Sequence, residues 1–350
     1  MSCTSLERSE KRFPLHRIQQ SYLPWLGNAI RIVVCLLLIP DSPEAASYPQ
    51  SRHNAEVEIW SLLGRYSTPS QDTSYFGVIF VSGRKLFVRG NFIQFISYNP
   101  KENNYVQRLA SDFSLRRKHT ESVEVLNEVF GDAYLGYNDS LDYFDIKPAF
   151  DIFPYSLHVW PVKDPVPFAS IFTKKWEDSR FNWYLYPRMR IDLFPTDSGK
   201  GQLGGEAHLQ HFWGSPSGKN NDFFVIHLES GFDIIAGVLP KNTVSPDWLP
   251  DSYVCIVYPE GRRALMPSFD YSVTQWYRHD DSGLDYPVSA TLSAPDENIN
   301  LTVSAFDEQQ FLSMRGRENW SGFGRVAGMV KGKPDTGWCY LSPMGRKRGD

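Results

Sequence analysis

The chain has 350 residues, 41% hydrophobic and 22% charged, with a net charge of −4. At about 150 residues per domain, that length calls for two domains with packed cores and excludes global disorder. The charge balance supplies no basic field, so nucleic acid is excluded as a partner. Aromatic residues reach 15%, a level that suits either a β-sheet core or an aromatic-lined cavity.

Residues 1–47 read as a leader. The apolar run IVVCLLLI (32–39) follows Arg31 and a basic stretch with Lys11, Arg12 and Arg17, and the small residues Ala45, Ala46 and Ser47 come after it. That order fits a signal peptide or membrane anchor, so a secreted or membrane-anchored protein of the secretory pathway is expected. The run is short for a full membrane span. Three sequons agree with this route, at Asn138, Asn300 and Asn319.

After residue 48 short strands alternate with Gly, Pro, Asn and Asp, which predicts an all-β fold. AEVEIWSLLGRY (55–66) sets Glu58 beside Trp60, and a carboxylate near an indole is a candidate acid. YFGVIFV (75–81) and FIQFISY (92–98) follow as strands. The one helical pattern is HTESVEVLNEVFGDA (119–133), with Val123, Leu126 and Val129 at helical spacing and Gly131 near a stop. Across 182–193 the alternation predicts Trp183, Leu185, Met189, Ile191 and Leu193 on one face. Asn182, Tyr184, Tyr186, Arg188 and Arg190 take the other, either towards solvent or into a cavity.

GGEAHLQHFWG (204–214) places Glu206, His208, Gln210 and Phe212 on one face and Ala207, Leu209, His211 and Trp213 on the other. The first face is either an exposed polar row or a site for proton transfer. A polar break, SPSGKNN (215–221), divides the chain into domains at 48–217 and 218–350. In the second half, TQWYRHDDSGLDYPVSATL (274–292) reads as a charged turn flanked by strands. INLTVSAF (299–306) alternates so that Asn300 points away from the apolar face. Cys255 and Cys339 fall in strands, where they either pair or stay as buried thiols. No CxxC, HExxH, GxSxG, phosphate loop or dinucleotide fingerprint occurs in a credible context, so no metal and no cofactor are expected.

Six stretches, taken in order, resemble one family. EIWSLLG (58–64) resembles E-W-W-Y-x-x-G, and NWYLYPRMRIDLF (182–194) resembles Y-Y-S-x-P-R-L. GEAHLQHFWG resembles G-x-A-W-L-D-H-Q-W-G, and FFVIHLESGFDIIAGVL (223–239) resembles W-F-x-L-x-L-D-D-G-x-x-L. WYRHDDSGLDYPVSATLSAP (276–295) and ENWSGFGRVAGMVKGKPDTGWCYLS (318–342) resemble the closing motifs. The family is the lipocalin-like group of AttH and CrtC type, with carotenoid 1,2-hydratases, kievitone hydratase and, more distantly, fungal lipocalin-like Diels–Alderases. The resemblance implies two lipocalin-like β-domains, an apolar pocket near their junction, and a large hydrophobic substrate that is hydrated, dehydrated or cyclised.

In the central motif His208 stands for the family's Trp, Gln210 for its Asp and Phe212 for its Gln, while His211, Trp213 and Gly214 match. A glutamine cannot protonate an alkene, which moves the expectation towards a guided Diels–Alder or hetero-Diels–Alder cyclisation. Loss of water could create the diene. Preorganisation supplies up to ~7–11 kcal/mol of such a barrier. Gln210, His208, Tyr184, Tyr186 and Arg188 are then the donors, with Trp60, Trp183, Phe212, Trp213 and Trp276 as walls and His211 alongside. The alternatives are a secreted hydratase acting on a prenyl alkene, with Glu58 or Glu206 as the acid, and a lipocalin-like carrier without turnover. A homodimer and an association of the leader with membrane are both compatible with the sequence.

Overall fold

The computed structural model describes residues 57–347, apart from segments at 69, 86–87, 113–125, 168–180, 197–200, 215–221, 239–251, 267–268, 315–316 and 344. The leader (1–47) and the break at 215–221 lie outside the described residues. The first sheet is built from β1 (Val57–Ser67), β2 (Thr73–Lys85), β3 (Val88–Asn99), β4 (Asn104–Asp112), β5 (Asn127–Phe130) and β6 (Ala133–Asn138). It continues with β7 (Tyr143–Lys147), β8 (Tyr155–Pro161), β9 (Val166–Pro167), β10 (Phe181–Pro195) and β11 (Leu203–Gly214). Its order is β4-β3-β2-β1-β11-β10-β8-β7-β6-β5, with β9 beside β10.

The second sheet uses β12 (Asp222–Leu228), β13 (Asp233–Val238), β14 (Ser252–Val257), β15 (Arg263–Met266), β16 (Asp270–His279), β17 (Leu284–Ala294) and β18 (Ile299–Ala305). A small hairpin of β19 (Phe311–Met314) and β20 (Arg317–Trp320) precedes β21 (Gly322–Val330) and β22 (Lys333–Ser342). The order is β15-β14-β13-β12-β22-β21-β18-β17-β16. Both sheets are antiparallel and curl around their own cores, the architecture expected of two lipocalin-like domains.

The burial of each strand explains its sequence. β18 has one wet face, and its pattern alternates: Ile299, Leu301 and Val303 are buried, while Asn300 and Thr302 are exposed. β1, β2 and β12 are buried on both faces and carry nearly continuous apolar runs. One face of β1 and β2 gives Trp60, Leu62, Phe76, Val78 and Phe80 to the first core. The other gives Leu63 and Tyr75 to a cluster shared with Phe323, Trp338 and Tyr340 of the second sheet. The two sheets therefore meet back to side along β1, β2 and β11 on one part and β12 and β22 on the other.

Two local expectations are corrected. The helical pattern at 119–133 ends in a hairpin: residues 119–125 lie outside the described residues, while 127–130 form β5, paired with β6. Gly131 takes φ +64° and closes a tight turn rather than stopping a helix. The alternation across 182–193 is also interrupted. β10 pairs Tyr186 with Leu209 and then Met189 with Ala207, so Pro187 and Arg188 form a bulge. Tyr184 and Tyr186 consequently share the inner face with Met189, Ile191 and Leu193, and Arg188 leaves them for the other side.

Candidate functional site

β11 divides its side chains between two environments. Glu206, His208, Gln210 and Phe212 do share a face, as expected, and it meets the second domain rather than solvent. His211 and Trp213 face into the first barrel.

Inside the barrel, His211 Nε2 lies 3.0 Å from Glu58 Oε1, and both groups are buried. The strands dictate this meeting. β1 and β11 are neighbours, and Glu58 and His211 sit diagonally across the ladder from each other. The Trp60 ring stacks on the His211 imidazole at 3.4 Å and 13°. Trp213 lies 4.5 Å from His211, and Tyr184 stacks on Trp213 at 5.6 Å and 4°. Tyr186 and Trp60 both touch Phe144, at 5.4 and 5.9 Å. Trp60 Nε1 and the Tyr186 hydroxyl are buried with no hydrogen-bond partner among the described residues. Burial pushes the Tyr186 hydroxyl well above the usual phenol range, so it stays a donor. The barrel interior thus combines a buried carboxyl–imidazole pair, stacked aromatic faces and two donors without a partner among the described residues.

The junction holds a different arrangement. Gln210 Nε2 lies 3.2 Å from His208 Nε2, His208 Nδ1 lies 3.0 Å from His227 Nε2, and His227 Nδ1 lies 2.8 Å from Asp233 Oδ1. Asp233 also receives Lys163 Nζ at 2.6 Å and Arg188 Nη2 at 2.9 Å. Burial alone would raise the Asp233 carboxyl. The His227 bond and the charges of His227, Arg188 and Lys163 outweigh it and hold the carboxyl below the usual range. Burial, then the neighbouring His227, holds His208 well below the ordinary imidazole value, so it is neutral.

Glu206 is committed elsewhere. It accepts Arg65 Nε at 2.8 Å and Trp338 Nε1 at 2.7 Å and lies 3.6 Å from Arg188 Nη1. Burial pushes its carboxyl up, but His227, Arg65 and Arg188 pull it further down, so it is ionised and unsuited to deliver a proton. Arg188 is part of this lock, away from Tyr184 and Tyr186. At the far end of the junction Trp183 stacks on Phe212 at 5.2 Å and 15° and meets Phe223 at 5.4 Å.

Sequence reasoning missed His227, Asp233 and Lys163. A single His inside the apolar strand FFVIHL was the available signal, because a polar residue in a fully buried strand needs a partner.

No protein-family model matches the sequence, and no curated protein matches it. Solved structures do. An AttH protein of Nitrosomonas europaea superposes with a TM-score of 0.65 over 88% of this chain and 100% of that one, at 16% identity. Kievitone hydratase of Nectria haematococca gives a TM-score of 0.64 over 85% of this chain and 92% of that one, at 14% identity. The chain has the AttH-type lipocalin-like fold.

Within that AttH-type fold the remaining candidates lie apart from both sites. Trp276 is exposed on β16 with Arg346 over its ring, so it walls neither. Arg278 pairs with Asp285, and His279 with Ser282, in the charged turn. Asn300 is exposed, Asn319 is half-buried, and Asn138 accepts the backbone N–H groups of Ser140 and Leu141. Cys255 and Cys339 are buried free thiols and do not pair. Among the described residues no three His, Cys, Asp or Glu side chains gather as a metal site.

Proposed function

We propose that this protein is a hydro-lyase. It adds water to, or removes water from, a large apolar substrate held in the aromatic interior of the first domain. The buried Glu58–His211 pair carries the reading, because a pericyclic step moves no proton and would need no such pair. In hydration, the Glu58 carboxyl protonates the less substituted alkene carbon, the cation is held against the faces of Trp60 and Trp213, and water attacks it as His211 takes the water's proton. Elimination is the reverse. The fold shared with kievitone hydratase supports the same reading, and the commitments of Gln210 and Glu206 weaken the alternatives built on them.

A second reading extends the first. Elimination from an allylic or benzylic alcohol leaves a diene or quinone methide, which then closes by a hetero-Diels–Alder step. The stacked Tyr184 and Trp213 faces favour it, since they offer a flat wall for a planar intermediate.

The test is turnover of prenylated phenols and of benzylic alcohols bearing a tethered alkene, in oxygen-18 water. Hydration places the label in product; elimination and closure release the hydroxyl. Glu58→Gln and His211→Asn should each slow turnover by about 10²–10⁴-fold. Full activity in both variants would overturn the assignment, and tight binding without any turnover would make the protein a carrier.

A further inference from the structure

The inner wall of the first barrel holds a polar side chain beyond the Glu58–His211 pair. The ladders set Trp213, Glu58, Ser82 and Asn91 in one row across β11, β1, β2 and β3. Paired residues share a face, and Ile93, two positions beyond Asn91, belongs to the first core. Asn91 therefore faces the barrel interior, in the same row as Glu58.

Asn91 is 2% exposed, and its Oδ1 is buried with no hydrogen-bond partner among the described residues. Trp60 Nε1 and the Tyr186 hydroxyl share that condition on the same wall. A buried polar group without a partner is costly. Three of them on the wall that carries the Glu58–His211 pair mark a place where a ligand supplies the missing bonds.

The row also bears on what the ligand carries. Glu58 and Asn91 lie two strand spacings apart, about 10 Å between backbones. A group bonded to Asn91 is thus held away from the carbon next to Glu58, and Phe80 and Ile93 on the neighbouring rung line the span with apolar surface. A primary amide both donates and accepts, so it bonds a neutral oxygen group in either orientation of its own. Trp213, Glu58, Ser82 and Asn91 include no Lys or Arg, so an anion there would meet no compensating charge from the row.

We propose, on the reading of the first barrel as the substrate site, that Asn91 is its specificity residue. Asn91 hydrogen-bonds an uncharged oxygen group at the end of an apolar ligand remote from the carbon on which Glu58 and His211 act.

Binding of three probes to the full chain, followed by calorimetry, tests this. 4-Prenylphenol should bind about tenfold more tightly than prenylbenzene, the gain expected of one hydrogen bond, and 4-prenylbenzoate no more tightly than prenylbenzene. Asn91→Leu should bring the phenol down to the level of prenylbenzene and leave prenylbenzene itself unchanged. If Asn91→Leu does not fold, Asn91→Ala reads the same loss, and the ratio in the unaltered protein still decides. Equal binding of phenol and prenylbenzene, a difference that survives loss of the amide, tighter binding of the benzoate, or no binding of any probe would each overturn the proposal. Binding and turnover separate this assignment from the hydro-lyase reading. A binding ratio that depends on Asn91, without turnover of any substrate, removes the hydro-lyase reading and leaves Asn91 in its role. Turnover that Glu58→Gln abolishes, with equal binding of phenol and prenylbenzene, does the reverse.

Discussion

Asp233 is fully buried; beside His227 of its own domain, Lys163 and Arg188 reach it from the other domain. Asp233→Asn would leave both cations facing a neutral amide in a desolvated place. We expect a loss of about 3–5 kcal/mol in urea unfolding, the range for removing one partner of a buried ion pair. Tyr186 predicts the opposite sign. Its buried hydroxyl bonds nothing among the described residues, so Tyr186→Phe should leave stability unchanged or raise it by about 1 kcal/mol. If the barrel interior binds the substrate, the same change should lower kcat/KM. Thermal melts alongside turnover would separate the two effects. At this scale the sequence disclosed residue types better than roles. Glu58, Trp60, His211 and Trp213 were legible as candidates from composition and motif. Gln210's place was not, because it ends a side-chain chain that runs through His208 and His227 to Asp233, 23 positions further along the sequence.

At the scale of the strand, parity decides which chamber a side chain enters, and a bulge can reset it. The step at Pro187–Arg188 turns Arg188 to the junction and returns Met189, Ile191 and Leu193 to the barrel core. Deleting Pro187 would remove the one extra residue, so that Tyr186, Arg188 and Met189 alternate plainly and each keeps its present side. The expected outcome is a folded protein that keeps its near-ultraviolet circular dichroism; loss of that signal would refute the reading of the bulge as a single extra residue. Nothing periodic announces a bulge, and Pro187 itself was the only local hint. Doubly buried strands hide in a similar way. β1 and β2 read as simple apolar runs, and the second burying surface comes from residues more than two hundred positions away. The hairpin at 127–138 was misread because a Gly that closes a turn and a Gly that ends a helix look alike in sequence.

For the whole molecule, the all-β architecture was legible from strand and turn spacing. How the two sheets dock was not, since no local pattern encodes contacts at such separation. The docking has a pH signature. His208 stays neutral when folded and titrates near ~6.5 when unfolded, so the unfolded chain alone gains a proton as pH falls below that value, and stability drops. Asp233 and Glu206 are held below the usual carboxylate range. The stability they confer is complete above about pH 4 and lost as pH falls further. Melting temperature should therefore decline in two stages, the first beginning near ~6.5. His208→Asn should remove that first stage and keep the second. A flat wild-type profile between pH 8 and 5 would contradict a buried, neutral His208.

The division of β11 by parity has a practical corollary. Even positions 208, 210 and 212 face one chamber, and odd positions 209, 211 and 213 face the other, on a single backbone. A library randomised at the even positions would vary the junction while leaving the Glu58–His211 pair chemically intact, and one at the odd positions would do the reverse. The two properties can thus be varied separately by substitution. A one-residue slip of the strand against its neighbours would exchange the histidines between chambers and disturb both at once.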